Sequence, residues 1–97
     1  MKERNMANAV VLITVQPDKV SEAAQAIVNI SGVSEVFSVA GEVDLVAIVS
    51  TVNFNDLAEI IPNGIAKVDG VLGTQTLTAF RQYSAKDDAA AFDLGAD

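Results

Sequence analysis

The sequence predicts one α+β domain whose elements run β-α-β-β-α-β. Three observations carry that expectation. Segments rich in β-branched residues stand at Ala7–Val15, 33–39, 43–51 and 71–80. Apolar residues recur at helical spacing in the two longer intervals between them. Only the short turn Ala40-Gly41-Glu42 separates the middle pair of strands, which implies an antiparallel hairpin. Right-handed crossovers then place both helices on one face of a four-stranded antiparallel sheet, the ferredoxin-like arrangement.

Each element has its own grounds. In the first strand Val11, Ile13 and Val15 share one face and Val10, Leu12 and Thr14 the other, so both faces are largely apolar. Gln16-Pro17-Asp18 breaks that strand, and Asp18 is expected to cap the helix that follows. Val20, Ala23, Ala24, Ile27 and Ile30 give the helix its buried stripe, and Ser31-Gly32 ends it. In the third strand Leu45, Ala47 and Val49 alternate with Val46 and Ile48, again apolar on both faces, as in a central strand. Asn53 to Asp56 offer caps for a second helix, in which Leu57, Ile60, Ile61, Ile65 and Val68 keep phase. An interior proline costs about 3 kcal/mol, yet the phase continues past Pro62, so one kinked helix is expected. In the last strand Thr74, Thr76 and Thr78 face one way, and Gln75, Leu77 and Ala79 the other. Outside this domain, residues 1–6 read as a flexible N-terminus. Residues 81–97 read as a tail in which Ala89–Phe92 forms a short helix that docks Phe92 and Leu94 on a neighbour.

Composition excludes several functions. The 97 residues suit one domain, and 51% apolar content suffices for a packed core. With 13 acidic and 6 basic residues the net charge is −7, which disfavours direct nucleic-acid binding and acidic membranes. The chain has no cysteine, which excludes thiol catalysis, disulfides and thiolate metal sites. It has no histidine, which removes the commonest general base and the commonest zinc ligand. No metal, cofactor or catalytic residue is therefore expected. The longest apolar runs, VVLITV and LVAIV, fall far short of the ~20 residues a spanning helix needs. No apolar stretch follows MKERNMANA as a signal peptide would require, so a cytoplasmic location is expected.

Several motifs coincide. A Gly-Val turn follows each helix, Gly32-Val33 and Gly70-Val71, and the hairpin reads SVAGEVDLVAIV. The last strand reads VDGVLGTQTLTAF. Over residues 7–80 these features resemble the effector-binding (RAM) domain of the Lrp/AsnC family of transcriptional regulators. The family's hairpin carries a glycine, two variable residues and an aspartate, matched here by Gly41, Glu42, Val43 and Asp44. Its last strand carries hydroxyl residues, matched by Thr74 and Thr76. Full-length members have an N-terminal helix-turn-helix domain. Only about six residues precede the first strand here, so the chain resembles the stand-alone members. The resemblance implies homodimers assembled into rings of dimers, with a small-molecule effector, typically an amino acid, between dimers. Mixed assembly with full-length regulators is a further expectation for a stand-alone module of this kind.

Dimerisation has support apart from the resemblance. Helices on one side of a sheet leave its second apolar face in water, and face-to-face pairing about a two-fold axis would bury it. Asp44 has two readings: it receives the ammonium of an amino acid, or it pairs locally or is solvated at a strand end. Thr74 and Thr76 either touch an effector or pack across strands, and Leu77 is a candidate for shaping the pocket. Glu42 reads as a solvated charge at the turn, with a ligand role implied only by the family pattern. The Asp87-Asp88 pair makes a poor metal site, because adjacent carboxylates diverge on a helix and no histidine supports them. The expected function is an oligomeric effector-binding module. Its alternatives are a purely structural oligomerisation protein and, less favoured, a small dimeric enzyme.

Overall fold

The alternation in the first strand is resolved by what covers each face. A computed structural model describes residues 7–83 and Ala85. The expectations for the N-terminus, for Asp87-Asp88 and for the Ala89–Phe92 helix lie outside those residues. Strand β1 (Ala7–Val15) sits between β3 (Leu45–Thr51) and β4 (Val71–Ala79), and β2 (Val33–Ser38) flanks β3, giving the order β2-β3-β1-β4. All three pairings are antiparallel. Helices α1 (Val20–Val28) and α2 (Phe54–Asn63) pack on one face, which makes the fold the expected ferredoxin-like sheet with two helices.

The core lies between that face and the helices. Ala9, Val11, Ile13 and Val15 of β1 are buried beside Leu45, Ala47 and Val49 of β3. Ala23 and Ile27 of α1, and Leu57 and Ile61 of α2, close over them together with Ile65. Each fully buried large aliphatic, such as Ile13, Ile27, Leu45 and Ile65, contributes roughly 1.5–3 kcal/mol of transfer free energy. The opposite face carries Val10, Leu12, Val46 and Ile48, all only partly buried, with Phe37 and Leu77 half exposed. A single chain leaves this second apolar face in water.

Three local expectations are corrected. Asp18 does not cap α1: Pro17–Lys19 form a 3-10 turn that leads into the helix, and neither has a side-chain cap. Proline suits the start of that turn because its φ is already set and its missing N–H has no role there. The second helix is not one kinked rod. It ends at Asn63, and Ile65–Lys67 form a separate 3-10 turn. Gly64 explains the break, with φ −112 and ψ −74, while a Cβ there would lie 2.5 Å from the Ile60 carbonyl oxygen. Helical phase survives because the turn still drops Ile65 into the core.

The third correction concerns the hairpin. β3 begins at Leu45 and not at Val43, so residues 39–44 form a loop longer than a tight corner. The Val39 N–H donates to the Asp44 carbonyl at 3.0 Å, closing the loop at its base. At the expected cap of α2 the sequence reading holds: the Asn53 side chain accepts from the Asn55 N–H at 3.1 Å. Among the described residues no helix is long and apolar enough to cross a membrane.

Candidate functional site

Asp44 is fixed by the strand it leaves. Its N–H donates to the Ile13 carbonyl at 2.9 Å, and its Oδ2 accepts from the Val15 N–H at 2.8 Å. The carboxylate thus takes the place of a strand partner at the end of β1, where β3 has turned away. A charge-assisted bond of this kind is stronger than a neutral one. Asp44 is half buried, as is Val43, while Gly41 and Glu42 are exposed. Gly41 has φ +154, and nothing lies within 4 Å of where a Cβ would stand. The loop tip is therefore open to solvent above an anchored aspartate.

The other site candidates are divided by the pleat. Thr74 pairs with Ile13, whose other neighbour is Leu45, so Thr74 and Asp44 lie near the same end of the sheet with β1 between them. Neighbouring strands are ~4.8 Å apart, which leaves about two strand spacings between β3 and β4. Thr76 pairs with Val11 and faces the helix layer. Leu77 pairs with Val10 and faces the opposite, open side. Thr74 and Thr76 thus share the helix-side face of β4, and Leu77 lies on its other face.

Thr76 belongs to a groove that the sequence did not announce. With Thr78 it lines one side of a cavity of about 230 Å³, and Phe54, Leu57, Ala58 and Ile61 of α2 line the other with Pro62. Phe54, Leu57, Ala58 and Ile61 stand at i, i+3, i+4 and i+7. That stripe extends beyond what β4 covers, leaving Phe54 exposed and the threonines open. Extending the Leu57–Ile61 pattern back one turn to Phe54 would have found it.

A second, larger cavity of about 480 Å³ opens at the far end of the sheet from the hairpin. Ser31, Gly32, Thr51, Asp56, Glu59 and Ile60 contribute to its lining. The Thr51 hydroxyl is already used, donating to the Asn53 carbonyl at 2.9 Å. Among the described residues no three histidine, cysteine, aspartate or glutamate side chains gather as a metal site.

The matches to known proteins agree with the fold. The sequence model of the Lrp/AsnC ligand binding domain matches residues 8–88. The chain belongs to that family. As an Lrp/AsnC domain it is a regulatory, ligand-binding module of transcription regulation and not an enzyme. The crystal structure of TTHA0845 from Thermus thermophilus is 38% identical, with a TM-score of 0.76, covering 80% of this chain and 98% of that one. PHS023 from Pyrococcus horikoshii is 27% identical with a TM-score of 0.72, covering 79% of this chain and 93% of that one. The transcriptional regulator NMB0573 of Neisseria meningitidis, solved as a complex with L-Met, shares the fold at 15% identity and a TM-score of 0.72. That match covers 80% of this Lrp/AsnC domain and 52% of the regulator. No curated protein sequence matches the chain.

Proposed function

We propose that this Lrp/AsnC domain homo-oligomerises through the open face of its sheet and senses a small amino acid or related metabolite, modulating full-length regulators of its family. The observation that carries the proposal is the second face of the sheet. Val10, Leu12, Val46, Ile48, Phe37 and Leu77 form an apolar surface with no cover in the single chain. Exposed apolar surfaces of this kind mark association sites. Two copies related by a two-fold axis would cover each other's face.

Assembly also gives the divided site residues a way to act together. In one chain the Gly41–Asp44 loop is anchored but open, and Thr74 and Thr76 lie across β1 from it. An α-amino acid needs an acceptor for its ammonium and N–H donors for its carboxylate. A loop tip with an anchored carboxylate, facing another copy, supplies both kinds of group. The hairpin is half of a site that a neighbouring dimer completes, with Leu77 on the face that pairs.

Two measurements test the reading. Native mass spectrometry over a range of concentrations should show a dimer or a multiple of it. A monomer at every concentration would overturn the assembly part. Thermal-shift titration with the twenty amino acids should raise the unfolding temperature with at least one of them. A flat response at millimolar ligand would leave a purely structural oligomer as the surviving account.

A further inference from the structure

We infer that the outer edge of β4 pairs antiparallel with β4 of a second copy, about a two-fold axis at Gln75. This edge contact rests on the face pairing proposed above, because it joins copies already held through their sheets. β4 ends the order β2-β3-β1-β4, so among the described residues no strand covers its far side. The direction of its free groups follows from β1. The Asp44 N–H donates to the Ile13 carbonyl, and the Val15 N–H donates to the Asp44 carboxylate, so odd-numbered residues of β1 bond toward β3. Even-numbered residues then bond toward β4, where Leu12 pairs with Gln75 and Val10 with Leu77. Thr74, Thr76 and Thr78 therefore turn their N–H and C=O groups away from the sheet.

The two edges of the sheet differ. Natural edge strands are blunted by shortness, charge, proline or bulges. β2 has six residues, carries Glu35 and shifts register between Val33 and Glu35. β4 has nine residues with neither charge nor proline among them, and its one irregularity lies at its start, beside Val15. From Gly73 to Ala79 its pairing with β1 is regular. An unblunted edge of this kind is a template for strand addition.

Charge selects the register. Outward-facing residues must stand opposite outward-facing residues, so the axis passes through a residue and not between two. Asp69 and Arg81 flank the strand, each six positions from Gln75. An axis at Gln75 brings each Asp69 toward Arg81 of the second copy, whereas an axis at Thr74 would bring Arg81 toward Lys67. Arg81 is exposed, and Asp69, although it bonds Lys19, keeps 88% of its side-chain surface open. The same axis sets Thr74 against Thr76, a favourable cross-strand pair. It also sets Leu72, which is 64% exposed, against Thr78 on the wall of the α2–β4 groove, where the leucine gains apolar cover. One edge of this length is too small a contact to hold single chains. Two face-paired copies carry two such edges, and repeating the face and edge axes builds a ring of dimers.

Native mass spectrometry of the parent should show species above the dimer, in multiples of two. Thr76→Pro removes an outward N–H that β1 does not use, so this variant should fold and lose every species above the dimer. The chain has no cysteine, which allows a second test without proline. Thr74→Cys and Thr76→Cys chains, mixed and left to exchange, place two thiols on directly opposed residues ~5.5 Å apart at Cα, within disulfide reach. Either variant alone offers only diagonal partners about 7–8 Å apart, so the disulfide should form in the mixture and be lost in each alone. Both positions lie on the helix side of β4, out of reach of the face contact. A parent that remains a dimer at every concentration overturns the edge contact and leaves face pairing standing. So does a Thr76→Pro variant that keeps the parent's larger assemblies, or a mixture that crosslinks no more than its components. A monomeric parent overturns face and edge together.

Discussion

Asp44 shows how one side chain ends a strand. Its carboxylate takes the Val15 N–H at 2.8 Å, so Asp44→Ala leaves that donor without its partner. The expected loss is about 1–2 kcal/mol of unfolding free energy. Asp44→Asn keeps a carbonyl acceptor and should lose less than half of that, as urea denaturation of the two variants would show. Glycine at position 70 is equally specific. It has φ +95, its carbonyl accepts from the Gln16 N–H at 2.8 Å, and a Cβ would stand 2.7 Å from Lys19 Cβ. Gly70→Ala should cost about 1–3 kcal/mol from backbone strain alone, measured in the same way. Both residues are legible in the sequence by their pattern. That Asp44 bonds to Val15, 29 positions away in the chain, is not, because the contact exists only once β1 and β3 are paired.

Elements are readable where one local signal dominates. β1 and β3 follow from β-branched alternation, and the start of α2 from Asn53, whose side chain caps the Asn55 N–H. Asn53→Ala should lower stability by about 1 kcal/mol, visible as a lower midpoint in thermal or urea melts. The end of α2 is hidden because apolar phase persists through Ile65 while Gly64 leaves helical geometry. Periodicity reports which side is buried, not whether the chain stays helical while burying it. The start of α1 is hidden for a related reason: Asp18 sits inside the Pro17–Lys19 turn and not ahead of it. That turn is instead tied by Lys19, whose Nζ lies 3.1 Å from Asp69 Oδ2. The Asp69 hydrogen bond, and then its charge, raise the Lys19 pKa above the ordinary lysine value. A raised pKa means the contribution is complete below the ordinary value and fades as pH climbs through the raised one. Lys19→Gln should therefore melt slightly below the parent at neutral pH, and the gap should close in strongly alkaline buffer.

At the scale of the whole molecule the two faces of the sheet make opposite demands on the same strand. Val49 is fully buried under the helices, and Ile48 beside it faces the uncovered side. From sequence both read as central-strand residues, since apolar content on both faces shows that each must be covered but not by what. The helices cover one. If a second copy covers the other, Ile48→Lys should break the assembly and leave the chain folded, because a lysine there reaches water once the copies part. Val49→Lys should unfold the chain, since an unpaired ammonium in the core costs more than about 4 kcal/mol. Size-exclusion chromatography with light scattering should report a monomer for the first variant, while far-UV circular dichroism retains the parent spectrum. An Ile48→Lys protein that still assembles would mean that this face is not the contact. The apolar content of Val10, Leu12, Val46 and Ile48 would then need another occupant, which makes this substitution the most direct reading of what the second face is for.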